Sequence, residues 1–410
     1  MTPPLFSACD HALMARALRL AERGLYTTQP NPRVGCVIAH SDEVAGEGWH
    51  IQAGGPHAEV FALAQAGTRA RGATAYVTLE PCGLHGRTPP CADALIVAGV
   101  VRVVIASEDA FQRDGGALDR LRAAGIIVET GLMREAAREL NRGFFSRIER
   151  GRPWLRVKLA MSLDGRTALA NGESKWITGD AARADVQRWR ARSSAILTGI
   201  GTVLADDPRL TARPGQLAAG TRSPPGRGEG EGYAPETRMS DASLHANPPL
   251  GAEREAVPPL RVVLDRNLRT PRGAHALDGA VPTWVMHAPA AVPLDDRFSK
   301  IELVAVENAG PGLDFEDALR RLAARGMNEV QVEAGSTLSG ALLAAGLVDE
   351  LLLYVAPVLL GDSARPLLAL PSLSQMSARW NLHLVEQRQV GDDLRLLLRT
   401  HQLPSRSLRA

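Results

Sequence analysis

Between Asp10 and Gly24 the apolar residues Leu13, Ala17 and Leu20 recur at helical spacing, with Asp10 as an N-cap type and Gly24 as a stop. A short apolar run over 34–39 reads as a strand, the stretch Ala58–Ala66 as a helix, and the β-branched and aromatic run 73–79 as a buried strand. The alternation continues with a helix over 92–98, a strand over 101–106, a helix over 118–124 and a strand over 126–128. Strands alternating with helices predict an α/β fold built on a mostly parallel sheet covered by helices.

Around 147–153 the pattern breaks into polar residues ending in Gly151, Arg152 and Pro153, and a new strand, 154–160, starts a second alternating series. The domain boundary is placed here, giving residues 1–150 and 151–410. From 214 to 259 fifteen of 46 residues are Pro or Gly, without period and with little apolar content. Such a segment cannot offset its ordering entropy and is expected to be a disordered insertion. The pattern resumes with a strand over 260–265, another at Thr283–His287, a helix over 315–325 and an apolar run over 330–332.

Length and charge agree with two domains. A chain of 410 residues with 45% hydrophobic content can fill more than one core. Its 47 Lys and Arg balance 45 Asp and Glu, so no overall field favours nucleic acid or an anionic membrane. No run of about 18 apolar residues and no basic start before an apolar segment occurs, and a cytoplasmic protein is expected. Four cysteines (Cys9, Cys36, Cys82, Cys91) are too few for a disulfide scaffold, so a clustered pair points to metal or catalysis.

One such pair exists. His57-Ala58-Glu59 opens a predicted helix, Cys82 follows the buried strand, and Cys91 begins the next helix. One imidazole and two thiolates suit a catalytic zinc, one per chain, which takes three protein ligands and leaves a fourth position to water. Zinc lowers the pKa of such water to about 7. Glu59, two residues from His57, is placed to take its proton and pass it on. Cys36, in an apolar strand, reads as core, and Cys9 as incidental.

The run HAEVFAL followed by TLEPCGLHGRTPPC, with eight residues between the cysteines, resembles the pyrimidine deaminase domain of the bifunctional riboflavin-biosynthesis enzymes. Asn31-Pro32 with Val34-Gly35, and Gly48-Trp49-His50, resemble that family's upstream blocks, which implies substrate contacts from Asn31 and His50. Two departures stand out. The family has Ser then His after the first zinc cysteine where this chain has Gly83 and Leu84, with His85 adjacent; and it has an Asp-Pro-Asn-Pro turn where this chain has Asp109-Ala110-Phe111-Gln112.

In the second half, WLRVKLAMSLDGRTA (from Trp154), GESKWIT (from Gly172), ILTGIGTVLADDPRLTAR (from Ile196) and VEAGSTLSGALLAAG (from Val332) form four blocks. In the last, a strand ends at Glu333 and small residues precede a helix, a turn whose free N–H groups can hold a pyrophosphate. In this order the blocks resemble the reductase domain of the same family. The resemblance implies a cytidine-deaminase-like three-layer N-terminal domain, a dihydrofolate-reductase-like C-terminal domain, and a homo-oligomer formed through the reductase. It implies substrate contacts from Ser174, Arg190, Leu210, Arg213 and Glu333, the two arginines matching a sugar phosphate. Lys158 is a further candidate for positioning substrate. Contacts to NADPH are implied for Ala160, Trp176, Thr202, Asp206, Gly335, Ser336, Thr337, Leu338, Ser339, Gly340 and Ala341. Most charges on the predicted helix Asp180–Arg192 otherwise read as facing solvent.

The activity implied is hydrolytic deamination of 2,5-diamino-6-ribosylamino-4(3H)-pyrimidinone 5′-phosphate, followed by NADPH-dependent reduction of the ribosyl to a ribityl chain. A reductase with an inactive deaminase domain, a nucleic-acid base deaminase and a non-enzymatic zinc module are the alternatives. The near-neutral charge disfavours the second, and the open fourth zinc position disfavours the third.

Overall fold

A computed structural model describes residues 6–83, 90–109, 116–213 and 257–400. Contacts divide the chain into two units, one built on the chain up to Gly151 together with Val257, and one on the rest of the chain from Arg152. Residues 214–256, most of the expected insertion, lie outside the described residues.

The first unit opens with helix α1 (Ala8–Glu22). Its N-cap is Ser7 rather than Asp10: Ser7 accepts from the Asp10 N–H and Asp10 accepts from the Ser7 N–H, a reciprocal capping box. Asp10 is instead an interior anchor, accepting from Tyr76 Oη at 2.7 Å and from Arg102 at 2.6 Å. The strands β1 (Gly35–His40), β2 (Glu43–Trp49), β3 (Thr74–Leu79), β4 (Arg102–Ser107) and β5 (Ile127–Thr130) form one sheet in the order β2-β1-β3-β4-β5. The sheet is mixed, not mostly parallel as the alternation predicts: β1 runs antiparallel to both neighbours, and only β3, β4 and β5 are parallel. A turn too short for a crossover helix, at Ser41 and Asp42, joins β1 to β2 and forces that hairpin.

Side chains alternate across β1. Cys36 and Ile38 join a core with α2 (Ala58–Ala66), α3 (Cys91–Ala98) and α4 (Ala117–Ala123), while Val37 and Ala39 join α1 and α5 (Arg134–Leu140) on the opposite face. Three layers result, with Cys36 buried as core. A Cβ on Gly48 would lie 2.5 Å from the Ala58 carbonyl, so glycine lets the start of α2 lie against β2. Helix α6 (Arg142–Arg150) closes the unit, its Phe144 and Phe145 packing on Leu79.

In the second unit β6 (Trp154–Ser162), β7 (Arg166–Ala168), α7 (Asp180–Arg192), β8 (Ala195–Gly199) and α8 (Ile200–Asp206) come first. After them come β9 (Leu260–Leu264), β10 (Thr283–His287), β11 (Glu302–Ala305), the short β12 (Asn308–Ala309) and β13 (Gly312–Leu313), and a helix Phe315–Ala324. The last elements are β14 (Glu329–Val332), a helix Ser336–Ala344, β15 (Glu350–Ala356), β16 (Arg365–Pro366), β17 (Leu382–Val390) and β18 (Asp393–Thr400). The main sheet has nine strands in the order β11-β10-β9-β8-β14-β6-β15-β18-β17, parallel from β11 through β15 and antiparallel for the last two pairs.

On β6, Leu155, Val157 and Leu159 enter the main core, which leaves Arg156 and Lys158 on the other face. That face is not solvent. Arg156 has no exposed side-chain surface; it pairs with Glu329 at 3.0 Å and Glu350 at 2.5 Å, and its guanidinium lies 4.4 Å from the Trp189 ring of α7.

Candidate active sites

His57 is the N-cap of α2, Glu59 lies in its first turn, Cys82 follows the end of β3, and Cys91 is the first residue of α3. The fold thus brings two helix starts and one strand end to a point. His57 Nδ1 and the two Sγ atoms lie within 4.8 Å of one another, with Cys91 Sγ 3.3 Å from His57 Nδ1. Tetrahedral zinc, with bonds of about 2.0 Å to N and 2.3 Å to S, places its donors roughly 3.5–3.8 Å apart, so this donor set fits the ion. The charges agree. Cys82 is drawn down to about 4 by its hydrogen bond to Cys91 and by His57, while the same pairing and burial push Cys91 well up. Without a metal one sulfur is a thiolate and the other keeps its proton, and a dication is what would let both ionise.

Glu59 is 2% exposed, and its Oε2 is buried without a hydrogen-bond partner. A buried orphan acceptor beside the donor set fits a proton-carrying group that waits for water and substrate. Burial pushes its carboxyl up to about 7, partly offset by His57.

Asn31 and His50, named from separate sequence blocks, meet side chain to side chain. His50 is 1% exposed; its Nδ1 donates to the Pro56 carbonyl at 3.0 Å, which leaves Nε2 to accept from Asn31 Nδ2 at 3.1 Å. Burial lowers the His50 pKa, favouring the neutral ring. Asp109 donates its N–H to Glu80 at 3.1 Å; Leu84, His85, Ala110, Phe111 and Gln112 lie outside the described residues.

In the second unit four of the residues named from the blocks, Lys158, Arg190, Arg213 and Glu333, interact with one another. Glu333, just after β14, takes two hydrogen bonds from Arg190 of α7, Nε to Oε1 at 2.7 Å and Nη2 to Oε2 at 2.5 Å. Gln331, which the sequence did not single out, donates Nε2 to Glu333 Oε1 at 2.7 Å. Burial works against the Glu333 charge, yet Arg190 and then Lys158 outweigh it and hold the carboxyl at about 2. Burial lowers the Lys158 pKa against the pull of Glu333. Arg190 Nη1 also donates to the Thr211 carbonyl at 3.2 Å. Arg213 is exposed, with its N–H on Gln187 at 3.1 Å, and burial followed by Arg190 and Arg209 lowers its pKa. Those guanidinium charges are therefore neighbours.

The remaining block residues divide. Trp176 is 72% exposed beneath the Arg183 guanidinium, 4.6 Å from its ring. Ser174, Ala160 and Thr202 are half-buried and Asp206 is exposed. Gly335 caps the helix Ser336–Ala344 without a side chain, and Ser336, Thr337, Leu338 and Ala341 keep exposed surface. Ser339 and Gly340 are buried, and a Cβ on Gly340 would run into the Ala369 carbonyl. Leu210 is 1% exposed at φ 49°, so only its main chain can face a ligand. Among the described residues no helix is long and apolar enough to cross a membrane.

A mixed β2-β1-β3-β4-β5 sheet with a His-Cys-Cys cluster over Glu59, followed by a largely parallel nine-stranded unit, is the architecture of a zinc deaminase joined to a reductase. Residues 7–107 match the cytidine and deoxycytidylate deaminase zinc-binding region, and residues 153–396 match the RibD C-terminal domain. The riboflavin biosynthesis protein RibD of Escherichia coli (strain K12) is 45% identical over 392 residues, covering 95% of this chain and 99% of that protein. That of Aquifex aeolicus (strain VF5) is 33% identical, with 94% and 97% covered. Among solved structures, Acinetobacter baumannii RibD superimposes with a TM-score of 0.79 at 42% identity, covering 96% of this chain and 99% of that one. A Thermotoga maritima diaminohydroxyphosphoribosylaminopyrimidine deaminase/5-amino-6-(5-phosphoribosylamino)uracil reductase gives 0.77 at 29% identity, with 96% and 99% covered. The chain belongs to the RibD family of riboflavin biosynthesis proteins and is a bifunctional deaminase and reductase.

Proposed function

We propose that residues 1–150 deaminate 2,5-diamino-6-ribosylamino-4(3H)-pyrimidinone 5′-phosphate and that residues 151–410 reduce the ribosyl group of the product with NADPH. The observation that carries the first half is the buried, unpartnered Glu59 Oε2 beside three metal-donor atoms within 4.8 Å. Zinc held by His57, Cys82 and Cys91 supplies the Lewis acidity that makes water a nucleophile near neutral pH. Glu59 takes a proton from the attacking water and delivers it to the ring nitrogen and then to the departing amine. Water's oxygen ends as the ring carbonyl and ammonia leaves. Asn31 and His50 bind the pyrimidine, the neutral imidazole keeping its acceptor nitrogen toward Asn31.

In the reductase, bound NADPH would supply a hydride to C1′ of the ribosyl group; the C1′–ring-oxygen bond breaks and that oxygen takes a proton, leaving the open ribityl chain. Arg190 and Arg213 hold the sugar phosphate, with Glu333 orienting the Arg190 fork. Lys158, Ser174 and the Leu210 main chain complete the substrate side. Ala160, Trp176, Thr202, Asp206 and the turn and helix residues Gly335, Ser336, Thr337, Leu338 and Ala341 bind NADPH, with Ser339 and Gly340 shaping that helix from its buried side. The reductase with an inactive deaminase is the weaker reading, because ligands and Glu59 are all in place.

We place the enzyme in the cytoplasm, acting on small molecules and neither on nucleic acid nor at a membrane, and as a homo-oligomer through the reductase. Support for the last comes from β17, the end strand of the sheet, with Leu382 38% and Leu384 47% exposed.

The test follows ammonia release and NADPH oxidation by the wild type and a Glu59→Gln variant. The variant is expected to lose ammonia release by roughly a thousand-fold or more and to keep reducing the deaminated substrate. Wild-type protein that reduces that substrate but releases no ammonia would mean the inactive-deaminase reading is correct.

A further inference from the structure

The match to the deaminase zinc-binding region ends at residue 107, yet a residue far beyond it grips the loop that carries Asn31. Asn141, which precedes α6, is 2% exposed. Its Oδ1 accepts the Arg33 N–H at 2.8 Å and its Nδ2 donates to the Arg33 carbonyl at 2.9 Å, a contact spanning 108 residues of chain. The two bonds set the amide orientation, since the flipped form would put NH2 against N–H and oxygen against oxygen. Arg33 answers with its guanidinium, Nη1 donating to the Leu140 carbonyl at 2.7 Å. One side chain therefore pairs both main-chain groups of a single residue, as a neighbouring strand would.

The clamped segment is where such pairing is missing. Residues 31–34 lie in neither helix nor strand. Asn31 is two residues before the clamp, and Val34, one residue after it, accepts the His50 N–H at 2.8 Å. Asn31 and His50 then meet side chain to side chain at 3.1 Å. The same helix start carries Phe144 and Phe145, which pack with Leu79 and Val34, so α6 also braces the end of the strand that leads to Cys82. Losing the side chain would take from the Arg33 amide and carbonyl the partner that holds them, which ties the loop's geometry to Asn141.

We propose that Asn141 is a positioning residue for the deaminase: through the Arg33 main chain it sets the Asn31 and His50 pair where the pyrimidine binds. The proposal rests on the reading of Asn31 and His50 as substrate contacts.

The experiment is steady-state ammonia release by zinc-loaded, full-length protein for Asn141→Ala, Asn141→Asp, Asn31→Ala and the Asn31→Ala/Asn141→Ala double variant. Asn141→Ala is expected to raise KM for the pyrimidine roughly ten-fold with kcat within about two-fold, at wild-type zinc content and wild-type NADPH-linked reduction of the deaminated substrate. Asn141→Asp keeps the acceptor for the Arg33 N–H and loses the donor, so its KM falls between. In the double variant KM rises by clearly less than the product of the two single effects, because only His50 remains to be positioned. Effects that multiply in the double variant, or an unchanged KM in Asn141→Ala, overturn the proposal. Should Asn141→Ala lose zinc or fail to fold, an unchanged KM in zinc-loaded Asn141→Asp overturns it as well. An unchanged KM in Asn31→Ala refutes the reading of Asn31 itself and is a separate result.

Discussion

Replacing Glu333 by Gln removes one charge and keeps the shape, which makes it a measure of how strongly the end of β14 is held to α7 by its ion pair. The Glu333 carboxyl sits at about 2 in the folded chain against an ordinary 4.5. A shift of that size corresponds to about 3 kcal/mol of stability at neutral pH. The side chain is only 13% exposed, so solvent screening takes little of this. Because the folded value is depressed, the contribution is complete above the unfolded pKa of 4.5 and is lost as pH falls toward 2. Glu333→Gln is therefore expected to cost about 3 kcal/mol at pH 7 and about 2 kcal/mol near pH 3.5. In a domain of this size the loss at pH 7 lowers the reductase unfolding transition by roughly 6–12 °C. Calorimetry of the full chain at the two pH values, without NADPH, reads both numbers. A loss below about 1 kcal/mol at pH 7, the range of an exposed pair, or a loss that does not shrink toward pH 3.5, refutes the argument.

Three further outcomes are expected. Chelating the zinc abolishes ammonia release, leaves NADPH oxidation on the deaminated substrate intact, and is reversed by zinc; loss of both activities would show that the sites do not act separately. Trp176→Ala raises KM for NADPH roughly ten-fold while thermal stability stays within about 0.5 kcal/mol, since the ring is 72% exposed; an unchanged KM removes Trp176 from the cofactor site. Leu384→Asp, on the exposed end strand, shifts the protein toward smaller species in light scattering, and an unchanged mass places the interface elsewhere.

The deaminase site was legible because its chemistry sits where local patterns change. His57 and Glu59 open α2, Cys91 opens α3, and the helix starts could be read from the apolar spacing that follows. Strand β2 was not legible. Its Gly46 and Gly48 carry no apolar signal, and they are glycines because α2 lies so near that a Cβ at Gly48 would meet the Ala58 backbone. A strand shaped by a helix it has yet to meet leaves little trace in its own sequence. The clamp from Asn141 to Arg33 was hidden for a similar reason: an Asn before a charged helix looks like any turn residue until its partner 108 positions away is known.

The reductase shows the opposite failure, where the pattern is visible and suggests the wrong environment. Helix α7 is crowded with charge, so most of its charges read as solvent-facing. Yet Arg192 is 1% and Asp185 4% exposed, because α7 lays its charged side on the sheet. The charges there answer one another: Arg156 with Glu329 and Glu350, Arg395 with Asp185 at 2.7 Å, and Arg192 near Glu329 at 3.6 Å. Removing one partner from such a set costs about 3–5 kcal/mol, while the intact set holds α7 in register over the strands. Arg190 projects from that helix, and Glu333 lies at the end of the strand that carries Glu329. The Arg190–Glu333 pair across 143 residues is therefore the outermost rung of a buried ladder of charges, and its placement is inherited from the rungs beneath it.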